Sequence, residues 1–106
     1  MSEKATLVVT ATPNPDELES VQSYLQGVLP LLSGAGGQLV KRLKVENLIH
    51  GKPNGMVLVM DFDSDEAITG LFESEDYSKL LPVRDNGFKE MNIMLTHTML
   101  RKLFNL

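Results

Sequence analysis

A chain of 106 residues with 42% hydrophobic content has room for a single domain spanning residues 1–106, and at that size roughly 60 to 70% of the unfolded surface is buried on folding. The absence of cysteine excludes a disulfide framework, a thiolate metal site and a cysteine nucleophile. A net charge of −4 and a pI near 5.0 argue against nucleic-acid binding, which calls for a basic surface facing phosphates.

The start, Met1-Ser2-Glu3-Lys4, leads into a handful of apolar residues before Pro13, too few for a signal-peptide core, and no run approaches a membrane span. The expectation is a soluble cytoplasmic protein with no membrane partner. Thr6 to Thr12 are β-branched and apolar and stop at Thr12-Pro13-Asn14-Pro15, which reads as a first strand. Asn14 is in position to cap a helix, with Pro15 at its first turn and Glu17 at the capping-box position. Leu18, Val21, Leu25, Val28, Leu29 and Leu32 then recur at three- and four-residue spacing, one apolar stripe that Pro30 should kink.

Ser33-Gly34-Ala35-Gly36-Gly37 follows a helix and opens a strand. Phosphate-binding glycine loops have the opposite order, so these glycines read as a C-cap and turn. From Gln38 to Leu48, Leu39, Leu43 and Val45 fall on one side and Val40, Arg42, Lys44 and Glu46 on the other, the pattern of a peripheral strand. Pro53-Asn54-Gly55 is turn chemistry joining it as a hairpin to Met56-Val57-Leu58-Val59-Met60. That run has no polar alternation, so as a strand it must be covered on both faces.

Asp63 or Ser64 caps the next helix, with Glu66 placed for a capping box and Ala67, Ile68, Leu71 and Phe72 as its apolar face. Ser74-Glu75-Asp76 starts another helical turn through Tyr77, Leu80 and Leu81, broken at Pro82, and a short third piece runs through Phe88. The last strand, Met91 to Leu100, is again apolar on both sides. The order β-α-β-β-α-β is the ferredoxin-like α+β fold, an antiparallel sheet with its helices on one face. Its bare face would carry Val8, Val57, Val59, Met94 and Leu100, a patch that a second copy would cover sheet against sheet. The apolar tail residues Leu103 and Phe104 are expected to pack on the domain or its partner.

Four segments carry a resemblance: Ala35-Gly36-Gly37-Gln38, Met60-Asp61-Phe62-Asp63-Ser64-Asp65-Glu66-Ala67, Phe72-Glu73-Ser74-Glu75-Asp76-Tyr77, and Leu81-Pro82-Val83-Arg84. In this order they resemble a family of small bacterial proteins of uncharacterised function in the dimeric α/β-barrel superfamily. Ala35, Gln38, Asp63 and Glu75 stand where that family usually has Tyr, Arg, Pro and Pro. The resemblance implies a dimeric α/β barrel. Its superfamily also contains cofactor-free monooxygenases, muconolactone isomerases and haem-degrading enzymes, so a scaffold is implied and not a reaction.

Four residues are candidates for ligand binding. His97 shares its strand side with Met91, Ile93, Leu95 and Met99, where it reads either as a general base in an apolar layer or as a structural histidine near a strand end. Tyr24 lies beside the stripe of the first helix, as a packing residue or a polar group reaching the layer of His97. Tyr77 and Arg84 lie where the resemblance is closest. Arg84 could hold an anion near Tyr24 or Tyr77, or neutralise Asp76 or Asp85, although Asp85 should point off at a helical angle. Asp61 reads as facing a partner subunit or pairing with Arg42, and His50 as solvated. No metal spacing surrounds either histidine, and no cofactor is called for. Two functions fit: a homodimer binding a small apolar or aromatic molecule between sheet and helices, as a binding protein or cofactor-independent enzyme, or a non-enzymatic dimeric interaction module with a filled core.

Overall fold

Alternation along the first strand sorts the molecule into two sides. The computed structural model describes residues 4–52 and 55–99. Strand β1 (Ala5–Pro13) is followed by helix α1 (Leu18–Gly34), strands β2 (Gln38–Lys44) and β3 (Met56–Phe62), helices α2 (Asp65–Phe72), α3 (Glu75–Ser78) and α4 (Leu81–Gly87), and strand β4 (Phe88–Thr96). β1 pairs antiparallel with β3 and β4, and β2 flanks β3, giving the order β2-β3-β1-β4. This is the ferredoxin-like α+β fold, with its second helical segment broken into three. Pro53 and Asn54 of the expected turn, Leu100, and the tail with Leu103 and Phe104 lie outside the described residues.

On one side, Ala5, Leu7 and Ala11 of β1 are buried with Met60 and Phe62 of β3 against Val21, Tyr24, Val28 and Leu32 of α1. Phe62 and Leu7 are almost wholly enclosed, and burial of each contributes about 1.5 to 3 kcal/mol. The spacing of the buried α1 residues is helical. The stripe is narrower than its leucines suggest, since Leu18 and Leu29 are exposed.

Among the described residues the opposite side has no helix. Register lines Val59, Val8 and Met94 in one row across β3, β1 and β4, with Val57, Thr10 and Asn92 in the next. The two-sided apolarity of the middle strands is therefore real, and Met94 is 40% exposed. At one end of this face Thr6 donates to Asp61 Oδ1 at 2.7 Å. Arg42 stands opposite Leu58, on the other side of the sheet from Asp61, so the expected pairing of Asp61 with Arg42 gives way to the bond from Thr6.

β2 is the exposed edge strand, but its sides differ from the simple alternation. A register shift between Leu39 and Lys41 puts Leu39 opposite Met60 and Leu43 opposite Val57, so the two leucines face opposite ways. One extra residue reverses every side chain beyond it.

Three helix ends show how local chemistry sets the boundaries. Asn14 Oδ1 accepts from the Asp16 N–H at 3.0 Å, closing an Asx turn, and α1 begins only at Leu18 without a side-chain cap. The helix continues through Pro30, whose missing N–H leaves the carbonyl of exposed Gln26 to water. It ends in a Schellman closure: Gly37 N–H donates to Leu32 O, Gly36 N–H donates to Ser33 O, and Gly36 takes φ 87°. Ser64 caps α2 by accepting from Ala67 N–H at 3.2 Å, which leaves Glu66 too early for a capping box. Among the described residues no helix is long and apolar enough to cross a membrane.

α4 seats its last residue directly on α1. A Cβ on Gly87 would lie 2.8 Å from the Val21 nitrogen and 3.0 Å from the Ser20 carbonyl carbon, while one on Gly70 in α2 meets nothing within 4 Å. Gly87→Ala is expected to lower stability by about 1 to 3 kcal/mol, because backbone must move. Gly70→Ala should raise it by roughly 0.5 to 1 kcal/mol. Urea midpoints of the two variants check both signs.

Candidate functional site

α1 and the broken helical segment meet over aromatic rings. Ser74 Oγ accepts from Tyr77 N–H at 3.1 Å and starts α3, which turns Tyr77 inward to 3% exposure. Tyr24 comes down from α1 at 4% exposure. It was expected beside the apolar stripe, yet it belongs to the buried stripe itself. Its ring stands edge-on to Tyr77 (centroids 6.2 Å apart) and to Phe88 (5.4 Å), while Phe72 packs edge-on to Tyr77 at 4.8 Å.

The two hydroxyls meet at 2.9 Å. Either oxygen can be the donor, but Tyr77 is the acceptor within reach of the buried Tyr24 proton, and an unpaired buried O–H would cost about 1 to 3 kcal/mol. Tyr24 therefore donates. Its burial, and the bond to Tyr77, raise its pKa well above the ordinary tyrosine value, so it stays neutral.

Arg84 completes the group. Its Nη1 donates to the Tyr77 oxygen at 3.3 Å and its Nε to Asp85 Oδ1 at 3.0 Å, with the guanidinium carbon 6.0 Å from the Tyr77 ring centroid. Partial burial opposes the charge, and the bonds to Tyr77 and Asp85 outweigh it, so its pKa is raised. Asp85 does not point away as a helical neighbour would suggest; it supplies the ion pair. Arg84 also falls in the last turn of α4, where a positive charge suits the helix dipole.

Tyr24, Tyr77 and Arg84 thus form one connected array, and His97 stands outside it. His97 lies beyond the end of β4, is 39% exposed, and its Nε2 is 2.6 Å from Asp65 Oδ1 at the start of α2. It does not sit in an apolar layer.

The space around the array is of two kinds. Beneath α1, between Leu7, Val9, Met56 and Leu58 of the sheet and Tyr24, Val28 and Phe72, the interior encloses only about 50 Å³. Beside β4 an open groove of about 520 Å³ is lined by Ile68, Thr69, Phe72 and Glu73 of the α2 segment, by Tyr77, Leu81 and Arg84, and by Ile93 and Leu95. A second opening, of about 450 Å³, runs from Arg84 and Asp85 along Phe88, Lys89, Glu90, Met91 and Ile93. Arg84 lines both. No group of three or more metal-ligating side chains occurs among the described residues. Sequence reasoning did not find Phe88 or Phe72 as ring partners of the tyrosines; their only signal was aromatic residues at the ends of short helical pieces.

Tyr77→Phe is expected to cost more stability than Tyr24→Phe, by about 1 to 3 kcal/mol, because it strands the Tyr24 proton while the reverse change leaves Tyr77 still bonded to Arg84. The double variant should recover part of the loss. A double-mutant cycle read by denaturant unfolding checks this.

Solved structures share the fold. A protein of unknown function from Rhodopseudomonas palustris superposes with a TM-score of 0.78 at 14% identity, covering 93% of this chain and 85% of that one. A protein described as dimeric, of unknown function and ferredoxin-like fold, from Bacteroides fragilis gives 0.58 at 11% identity, with 90% and 96% covered. A putative antibiotic biosynthesis monooxygenase from Nitrosomonas europaea gives 0.60 at 10% identity, with 95% of each chain covered. At these identities the likeness is one of fold alone. Comparison with curated proteins gives no match. The family described as a domain of unknown function, DUF1330, matches residues 6–99, so the resemblance to a family of small uncharacterised proteins holds and the chain belongs to that family.

Proposed function

We propose that the chain is a one-domain cytoplasmic homodimer that binds a small apolar or aromatic molecule in the groove beside β4. The observation that carries this reading is the array of Tyr24, Tyr77 and Arg84, of which Tyr77 and Arg84 line a groove whose other walls are mostly apolar. A few convergent polar groups at the end of an apolar cleft of roughly 300 to 1,000 Å³ is the usual make-up of a small-molecule site. Tyr77 and Arg84, bonded to each other, both line that groove. The small interior volume supports the groove over the space beneath α1, and it also fits the filled-core module as a second reading. The monooxygenase relative lends the scaffold, not a reaction.

Dimerisation draws on the open sheet face. The described residues extend 45 × 36 × 18 Å, a slab of one sheet and one helix layer, and the row of half-buried Val59 and Val8 with exposed Met94 invites a cover. The Bacteroides fragilis relative is described as dimeric. Light scattering at micromolar concentration is expected to give about twice the chain mass of 11.8 kDa, and Val59→Lys to give the monomer with the fold intact by circular dichroism. A stable wild-type monomer would overturn the dimer. For the ligand, thermal shifts with small aromatic molecules should be seen in the wild type and reduced in Arg84→Gln. Shifts in neither would favour the filled-core module.

A further inference from the structure

Resting on the groove as the ligand site, we infer that its ligand class is a small apolar monocarboxylic acid, bound with its carboxylate on Arg84 and Tyr77 and its body along Ile93 and Leu95. The guanidinium is held in place before any ligand arrives. Asp85 fixes its Nε and Tyr77 fixes its Nη1, so the plane of the fork is set while its other N–H groups remain uncommitted among the described residues. A planar fork matches a carboxylate by two parallel bonds, and pre-organisation lowers the ordering cost. The Tyr77 hydroxyl, bonded to both Tyr24 and Arg84, lines the groove beside the guanidinium.

The charge count selects a monoanion. Among the described residues Arg84 is the one cation lining the groove, and Glu73 lines it as well, so a phosphate dianion would meet one positive group and one negative group there. Asp85 is 69% exposed against 28% for Arg84, so solvent screens the carboxylate more than the guanidinium and the site keeps attraction for a second anion. Of the remaining walls, Ile68, Phe72, Leu81, Ile93 and Leu95 are apolar and Thr69 adds a single hydroxyl, few partners for a sugar or other polyhydroxylated body.

Phenylacetate, phenylacetamide and inorganic phosphate, titrated into the wild-type protein and followed at the methyl resonances of Ile68, Ile93 and Leu95, form the test. The acid is expected to shift these methyls and to bind roughly ten- to hundredfold more tightly than the amide, the range for a hydrogen bond to a charged group. Phosphate should leave them unmoved. Arg84→Gln should erase the preference for acid over amide. Arg84→Lys should weaken it, because the charge stays and the fork is lost. Equal binding of acid and amide at these methyls would overturn the carboxylate assignment and leave the groove as a site. No shift with either would overturn both. Phosphate moving the same methyls would overturn the apolar-acid class. The acid and amide comparison in wild type decides even if a variant fails to fold.

Discussion

A sheet with two apolar faces and one layer of helices sets the problem that the rest of the structure answers. β1 is the centre of it: flanked by β3 and β4, it sends Ala5, Leu7, Val9 and Ala11 toward the helices and Thr6, Val8 and Thr10 away. The helix side is closed by α1, whose buried residues fill the layer almost to solidity. On the other side Val8 stands between Val59 and Met94, with no helix above it among the described residues. Polar pairs hold the margins of that face, Thr6 with Asp61 and Asn92 with Thr10, so its apolar part is bounded and not merely left over.

The second constraint is polar. Burying two tyrosines in the helix layer is favourable only because their hydroxyls satisfy each other, and that bond ties α1 to the otherwise poorly anchored α3. α3 is a single turn and α4 is scarcely two, too short to be stable on propensity alone. They persist through Tyr77, through the Ser74 cap, and through the close seating of Gly87 on α1. The chain from α1 to α4 is thus held by a hydrogen-bonded line that ends in Arg84.

Patterns with a strong local mechanism were legible. The glycines after α1, the serine caps of α2 and α3, and the two-sided apolar run of β3 each follow from neighbours within a few residues, and the strand and helix order follows from them. What the sequence hides depends on contacts between distant segments. The bulge between Leu39 and Lys41 shows in no composition signal, yet it turns Leu43 to the other face. Asn14 read as a helix cap but closes a turn instead, and the bond from Asn14 N–H to Gly87 O, across most of the chain, holds that loop against the end of α4. Tyr24 and Tyr77 could be named as candidates, but their pairing spans 53 residues and needs the fold to exist. His97 misled because the strand stops at Thr96: one residue further on, alternation no longer says which way a side chain points.

The broken helical segment explains why the groove lies where it does. α1 is long enough to roof β1 and β3, whereas breaks before Ser74 and between Ser78 and Leu81, where Pro82 starts α4 and does not end a helix as expected, leave β4, an edge strand, only partly covered, with Leu95 36% exposed. The same strand turns Met94 to the bare face, opposite Val8, while Ile93 and Leu95 line the groove. Period-two alternation therefore separates the two proposed contacts by the thickness of the sheet. A partner seated on Val8, Val59 and Met94 leaves the groove open, and a ligand beside Ile93 and Leu95 need not displace the partner. Communication between them would have to pass through β4 itself, whose outer edge carries no further strand among the described residues.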